Sequence, residues 1–153
     1  MINNIEIVAL SFFASFGFAM VFHMRRDFLI YAGLAGALTR IVYLILMQIT
    51  DSRAIYICLS AMFASLYAYV VSQWKYTPST IFFYPALIPL IPGDLLYYTL
   101  QGLILKDTNA FIVNGQNFIV ALFWLGIGSV VISSCLFYWK KIKRINPLEL
   151  RHH

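Results

Sequence analysis

Five long apolar runs, separated by short polar breaks, leave this chain little choice of solvent. A bilayer's hydrocarbon core is about 30 Å thick and a helix rises about 1.5 Å per residue, so roughly 20 apolar residues cross it. Runs at 7–22, 28–50, 54–73, 79–105 and 118–139 meet or approach that length. Backbone amides find no water inside that layer, so helices that satisfy their own hydrogen bonds are the natural spanning element. The expectation is an all-α integral membrane protein, one transmembrane domain of about five helices followed by a basic tail at 140–153. Charged residues make up 11% of the chain, against about a quarter in soluble domains. A water-soluble fold is thereby excluded unless a partner covers it permanently.

The net charge of +5 does not indicate nucleic acid as a partner. Binders of nucleic acid gather basic residues on one polar face, whereas Arg25, Arg26, Lys75, Lys140, Lys141, Lys143 and Arg144 sit in the breaks between apolar runs. Five crossings place these residues and Arg151 on one side, with only Arg53 and Lys106 on the other. The positive-inside rule makes the richer side cytoplasmic, with the C-terminus there and the N-terminus outside. Trp74, Tyr76 and Trp139 fall at the expected interfaces. No basic region precedes the first run, which reads as a retained span rather than a cleaved signal peptide. Cys58 and Cys135 lie within apolar runs and read as free thiols, and the closing His152 and His153 carry no weight.

Two features interrupt the apolar pattern. The fourth run contains Pro85, Pro89 and Pro92-Gly93-Asp94. Each proline lacks an N–H and clashes with the preceding turn, so the run is expected to break at Pro92-Gly93, near mid-membrane. Irregular backbone at that depth needs cover from protein or a watery cavity, and transporters use such breaks to aim helix ends at a solute. Asp94 would open the second half-helix, either as a plain cap or as part of a site. Arg40 lies in the middle of the second run, where a charge costs at least about 3 kcal/mol on insertion scales. Arg40 and Asp94 count to similar depths. They pair directly, or Arg40 receives a solute carboxylate through its guanidinium fork, or Arg40 snorkels towards a partner subunit.

Small residues recur at four-residue spacing on three runs: Ser60, Ala64 and Ala68; Ala32, Gly33, Gly36 and Ala37; Gly126, Gly128, Ser129 and Ser133. Such faces let helix backbones approach closely in lipid, within this chain or against another membrane subunit. Enzymatic signatures are missing: no Cys/His cluster has metal spacing, and no glycine-rich phosphate loop or nucleophile–base pair stands out. The sequence therefore argues against an enzyme and calls for no cofactor or metal.

Gly17-Phe18-Ala19-Met20-Val21-Phe22 closes the first span, a Gly/Ala-rich second span follows, and Ser72-Gln73-Trp74 ends the third. With Pro85-Ala86-Leu87-Ile88-Pro89-Leu90-Ile91-Pro92-Gly93, this order resembles the small subunit of the threonine/serine exporter family over roughly residues 8–140. The family motif falls on Gly17, Phe18, Ala19, Phe22, Pro89, Pro92 and Gly93; Arg40 and Asp94 rest on the depth count alone. The resemblance implies a secondary transporter in a bacterial cytoplasmic (inner) membrane. Its solutes would be threonine and serine, or dicarboxylates such as succinate, and its partner a larger membrane subunit or further copies of itself. A membrane scaffold without transport is the alternative.

Overall fold

The structure, a computed structural model, describes the backbone of residues 4–149 and the side chains of 4–139 and Lys141. Its elements are α1 (Asn4–Val21), α2 (Arg26–Ile49), α3 (Arg53–Lys75), α4 (Thr80–Leu87), a single 3-10 turn (Ile88–Leu90), α5 (Gly93–Ile104) and α6 (Thr108–Glu149). Helices α1, α2, α3 and residues Thr108–Trp139 of α6 are each long and apolar enough to cross a membrane. Thr80–Leu90 and Gly93–Ile104 qualify together as a span bent by 55°. The chain is an all-α, multi-pass membrane protein with four or five spans, and its fourth apolar run is broken between Leu90 and Gly93. The basic tail expected at 140–153 continues α6 in backbone as far as Glu149, while Arg151, His152 and His153 lie outside the described residues.

Small residues set how closely the first three helices approach. On α2, a Cβ added at Gly36 would fall on the Ser15 hydroxyl of α1, and one at Gly33 would meet the Phe12 ring at 2.7 Å. Helices α2 and α3 run antiparallel in a steady register. Tyr43 packs edge-on against Tyr56 at 5.0 Å, Ala35 clusters with Ala64, and the Tyr67 hydroxyl donates to the Tyr31 carbonyl at 3.1 Å. Helix α4 seats Phe82, fully buried, among Ala68, Val71 and Phe28. Lipid offers little hydrophobic drive between helices, so this close van der Waals contact carries the association.

The remaining helices meet differently. Gly102 of α5 rests on the backbone of Phe111 in α6, and Thr99 lies 3.4 Å from where a Cβ at Gly115 would sit. The two helices thus form an antiparallel hairpin. Further along, Gly128 of α6 presses on the Cys58 carbonyl and on Ala61, and Ala121 joins Tyr56, Ile57 and Leu95. From there α6 runs alongside α3 in the same direction. It begins at Thr108 because the Asp107 carboxylate accepts the Ala110 N–H at 3.1 Å, an N-cap bond. The helix thus starts well before the apolar run at 118–139 and takes in the polar residues Asn114, Gln116 and Asn117.

Three helix ends share one device without glycine. His23, Tyr76 and Lys106 adopt φ of 53°, 51° and 57°. The following N–H of Met24, Thr77 and Asp107 then reaches back to the carbonyl of Ala19, Ser72 and Gly102, at 3.1, 3.0 and 2.9 Å. This is the six-to-one bond of a Schellman closure.

Candidate functional site

The break can be followed through the carbonyls that Pro89 and Pro92 leave behind. In a regular helix each N–H serves the carbonyl four residues earlier. Pro89 therefore deprives the Pro85 carbonyl, and Pro92 deprives that of Ile88. The Ser15 hydroxyl of α1 donates to the Pro85 carbonyl at 2.8 Å. The Ile91 N–H takes the Ile88 carbonyl in a 3-10 bond of 3.3 Å. The Gly93 N–H turns to the Ile91 carbonyl at 2.8 Å, which frees the Pro89 carbonyl, and Arg40 Nη1 donates to it at 3.1 Å. Irregular backbone inside the bundle is thus covered by side chains from α1 and α2, as a dry surrounding requires.

Arg40 is only partly committed. Its guanidinium lies 4.7 Å from the centre of the Tyr43 ring, a cation–π arrangement. Its Nε is buried and without a hydrogen-bond partner. The same holds for Thr39 Oγ1 and Ser60 Oγ, on residues with no exposed surface. The flanking pairs Ala35 with Ala64 and Tyr43 with Tyr56 put Thr39 opposite Ser60 in the α2–α3 register. Buried polar groups are nearly always paired, so three open ones beside a helix break mark this layer.

Asp94 does not pair with Arg40. Its carboxylate lies 3.5 Å from the Arg53 guanidinium, with both side chains about half exposed. Arg53 Nε also donates to the Tyr56 hydroxyl at 3.3 Å. A chain of contacts, Arg40–Tyr43–Tyr56–Arg53–Asp94, therefore links the second and third helices to the start of α5. Pro92 occupies the cap position of α5, where it can give no side-chain cap bond, and Asp94 stands in the first turn. The break at Pro92-Gly93 is present as expected, but at a different depth. It lies beside the first turn of α3, and the turn carrying Pro89 is what reaches Arg40.

Pro92 is buried, Pro89 half-buried, and Gly93 exposed with open space beside it. The motif at the end of α1 lies elsewhere. Ala19 is fully buried, while Phe18 and Phe22 pair at 6.2 Å and Phe22 meets Tyr84 of α4 at 6.3 Å. Gly17 has nothing within 4 Å of its missing side chain. Ser15 and Thr39 do not stand out in the sequence, and Ser60 does so only as one of the small residues of the third run; their signal is a lone hydroxyl on an otherwise small or apolar helix face. Among the described residues, no three of His, Cys, Asp and Glu gather where they would hold a metal ion.

The sequence model of a family described as "Threonine/Serine exporter, ThrE" matches residues 7–135. No curated protein and no solved structure matches the chain. A family match over most of the chain settles membership: this protein belongs to the threonine/serine exporter family, a family of membrane transporters.

Proposed function

From that membership, we propose that the chain is the small subunit of a split exporter that works beside a larger membrane subunit. It moves small carboxylate-bearing solutes outward: threonine and serine, or dicarboxylates such as succinate. The observation that carries this reading is Arg40, a guanidinium in an apolar span that gives one hydrogen bond to the Pro89 carbonyl and keeps a buried Nε free. A guanidinium has five donors in a planar fork that suits a carboxylate, so donors remain for a solute.

In this reading Arg40 and the Pro89 turn bind the solute carboxylate, and Pro92-Gly93 is the hinge. Asp94 with Arg53 closes the outer end. The positive-inside rule puts Arg25, Arg26 and Lys75 in the cytoplasm of a bacterial inner membrane, with the N-terminus outside. The protein is a carrier in this scheme and performs no catalysis.

Efflux of preloaded threonine, serine and succinate is the test, from cells expressing this chain alone and with a larger family subunit. Selective efflux that needs both chains is expected. Arg40→Lys keeps the charge but loses the fork, and should weaken carboxylate handling by about 1–2 kcal/mol, roughly tenfold in KM. Asp94→Asn should slow efflux while leaving the complex assembled. A second reading, a scaffold without transport, draws on the many large apolar side chains α5 and α6 expose, such as Tyr97, Ile104, Ile119 and Phe123. Assembly lost with Asp94→Asn, and efflux per assembled complex unchanged, would favour it.

A further inference from the structure

The two halves of the broken run are gripped separately. On one side of Pro92-Gly93, Arg40 Nη1 holds the Pro89 carbonyl at 3.1 Å. On the other, Leu95 packs in one buried cluster with Tyr56, and the Asp94 carboxylate lies 3.5 Å from the Arg53 guanidinium. Two tyrosines stand between these grips. The Arg40 guanidinium lies over the Tyr43 ring at 4.7 Å, Tyr43 meets Tyr56 edge-on at 5.0 Å, and the Tyr56 hydroxyl accepts from Arg53 Nε at 3.3 Å. Tyr56 thus touches α5 twice, through Leu95 directly and through Arg53 to Asp94. Gly93 has open space beside it, so the backbone can turn there without a clash.

We infer that Tyr43 and Tyr56 are positioning residues that couple occupancy of Arg40 to the outer ion pair, an inference that rests on Arg40 as the site of the solute carboxylate. A carboxylate bonds a guanidinium more strongly than a peptide carbonyl or a ring face does. A solute on Arg40 therefore draws the cation from both. The Pro89 turn is released directly, and Tyr43 loses the charge that fixes its ring. Tyr56 then no longer presents a fixed acceptor to Arg53. An exposed ion pair is weak by itself, so a small displacement of Arg53 parts it from Asp94 and lets α5 swing at Pro92-Gly93. Two states follow: an empty one with both grips closed, and a loaded one with the outer end open. A ligand moves such an equilibrium only through contacts that differ between the states, and here those contacts are the ones Arg40 gives up.

The test measures a distance across the outer end in the assembled pair of subunits, reconstituted in lipid. Cys58→Ala and Cys135→Ala remove this chain's own thiols. Spin labels then go on Asp51→Cys, in the exposed link between α2 and α3, and on Tyr97→Cys, exposed on α5. Threonine, serine and succinate, each at saturation, are the probes. Whichever of them the pair exports should move the labels apart. The open-to-closed ratio it produces should fall at least about threefold in Tyr43→Leu, the scale of a lost cation–π contact. Tyr43→Phe keeps the ring face and should respond as the unmodified chain does. Tyr56→Phe keeps its ring contacts but takes the acceptor from Arg53, and should lose the response as Tyr43→Leu does. A merely structural role would spare Tyr56→Phe, which removes one oxygen and leaves the packing. Labels that stay in place while the solute is exported overturn the coupling. So does a full response in Tyr43→Leu or Tyr56→Phe, or a lost one in Tyr43→Phe. Should Tyr43→Leu fail to assemble, the two phenylalanine variants decide alone. If the pair with both tyrosines intact exports none of the three probes, the exporter reading has failed in its own assay and the coupling falls with it.

Discussion

The α1–α2–α3 side of the molecule and the α5–α6 side make their closest approaches through different atoms. On the first, Gly33, Gly36, Ala32 and Ser15 are buried, and backbones approach until a methyl group has no space. On the second, Gly102 and Gly128 come up against the backbone of Phe111 and Cys58, where no side chain can give way, and large side chains such as Tyr97 and Phe123 point outward as Leu10, Phe13 and Ile45 do on the first. The first side is a fixed frame whose shape is set by backbone contact. The second is joined to that frame along α3, through Gly128 and Ala121 of α6. The frame also holds what a transporter must keep in place, the Ser15 and Arg40 donors that cover the broken span.

Substitutions can break this contrast. Gly36→Leu should have the largest effect, since even its Cβ would fall on the Ser15 hydroxyl. A loss of about 3 kcal/mol or more is expected, read as a collapse of the unfolding midpoint in detergent. Gly128→Ala meets the Cys58 carbonyl and should cost about 1–3 kcal/mol, whereas Gly126→Ala, with open space, should change stability by less than about 1 kcal/mol. Equal effects at 126 and 128 would show that α6 does not rest on α3 as described. Ser15→Ala leaves the Pro85 carbonyl unpaired and should cost about 1–3 kcal/mol. Tyr76→Gly should act in the other direction. Tyr76 is 98% exposed and left-handed, so relief of its backbone should gain about 1 kcal/mol and raise the same midpoint. Asp94→Asn should be the mildest for stability, about 0–1 kcal/mol, because its ion pair is exposed. A loss of efflux with so small a change in stability would sharpen its assignment as a moving part.

How much of this was legible in the sequence depends on what each residue had to reveal. Apolar length was enough for the spans, because a bilayer demands it. The break was legible because proline's missing N–H is a fact of the residue itself. The pairing of Asp94 was not. Depth counted at a uniform 1.5 Å per residue puts Asp94 level with Arg40, but a 3-10 turn rises about 2.0 Å per residue and extended backbone about 3.3 Å. Ile88–Leu90 and the extended Ile91 therefore carry the chain further, to the first turn of α3. The early start of α6 was hidden for another reason. Asn114, Gln116 and Asn117 read as a polar boundary, whereas the cap is Asp107, a residue that hydropathy alone assigns to the loop. Ser15 could be found only by knowing that α1 would lie against Pro85.

The bond from Arg40 to Pro89 also constrains how the protein is made. Its two ends are 49 residues apart in the chain. At about 5–20 residues per second, ribosomes need several seconds to supply the second after the first. Throughout that interval α2 must sit in or near the membrane with its guanidinium answered only by the Tyr43 ring. The nascent helix is therefore a candidate client for the insertion machinery until the proline turn arrives, and truncation before Pro89 should yield a chain that inserts α2 poorly.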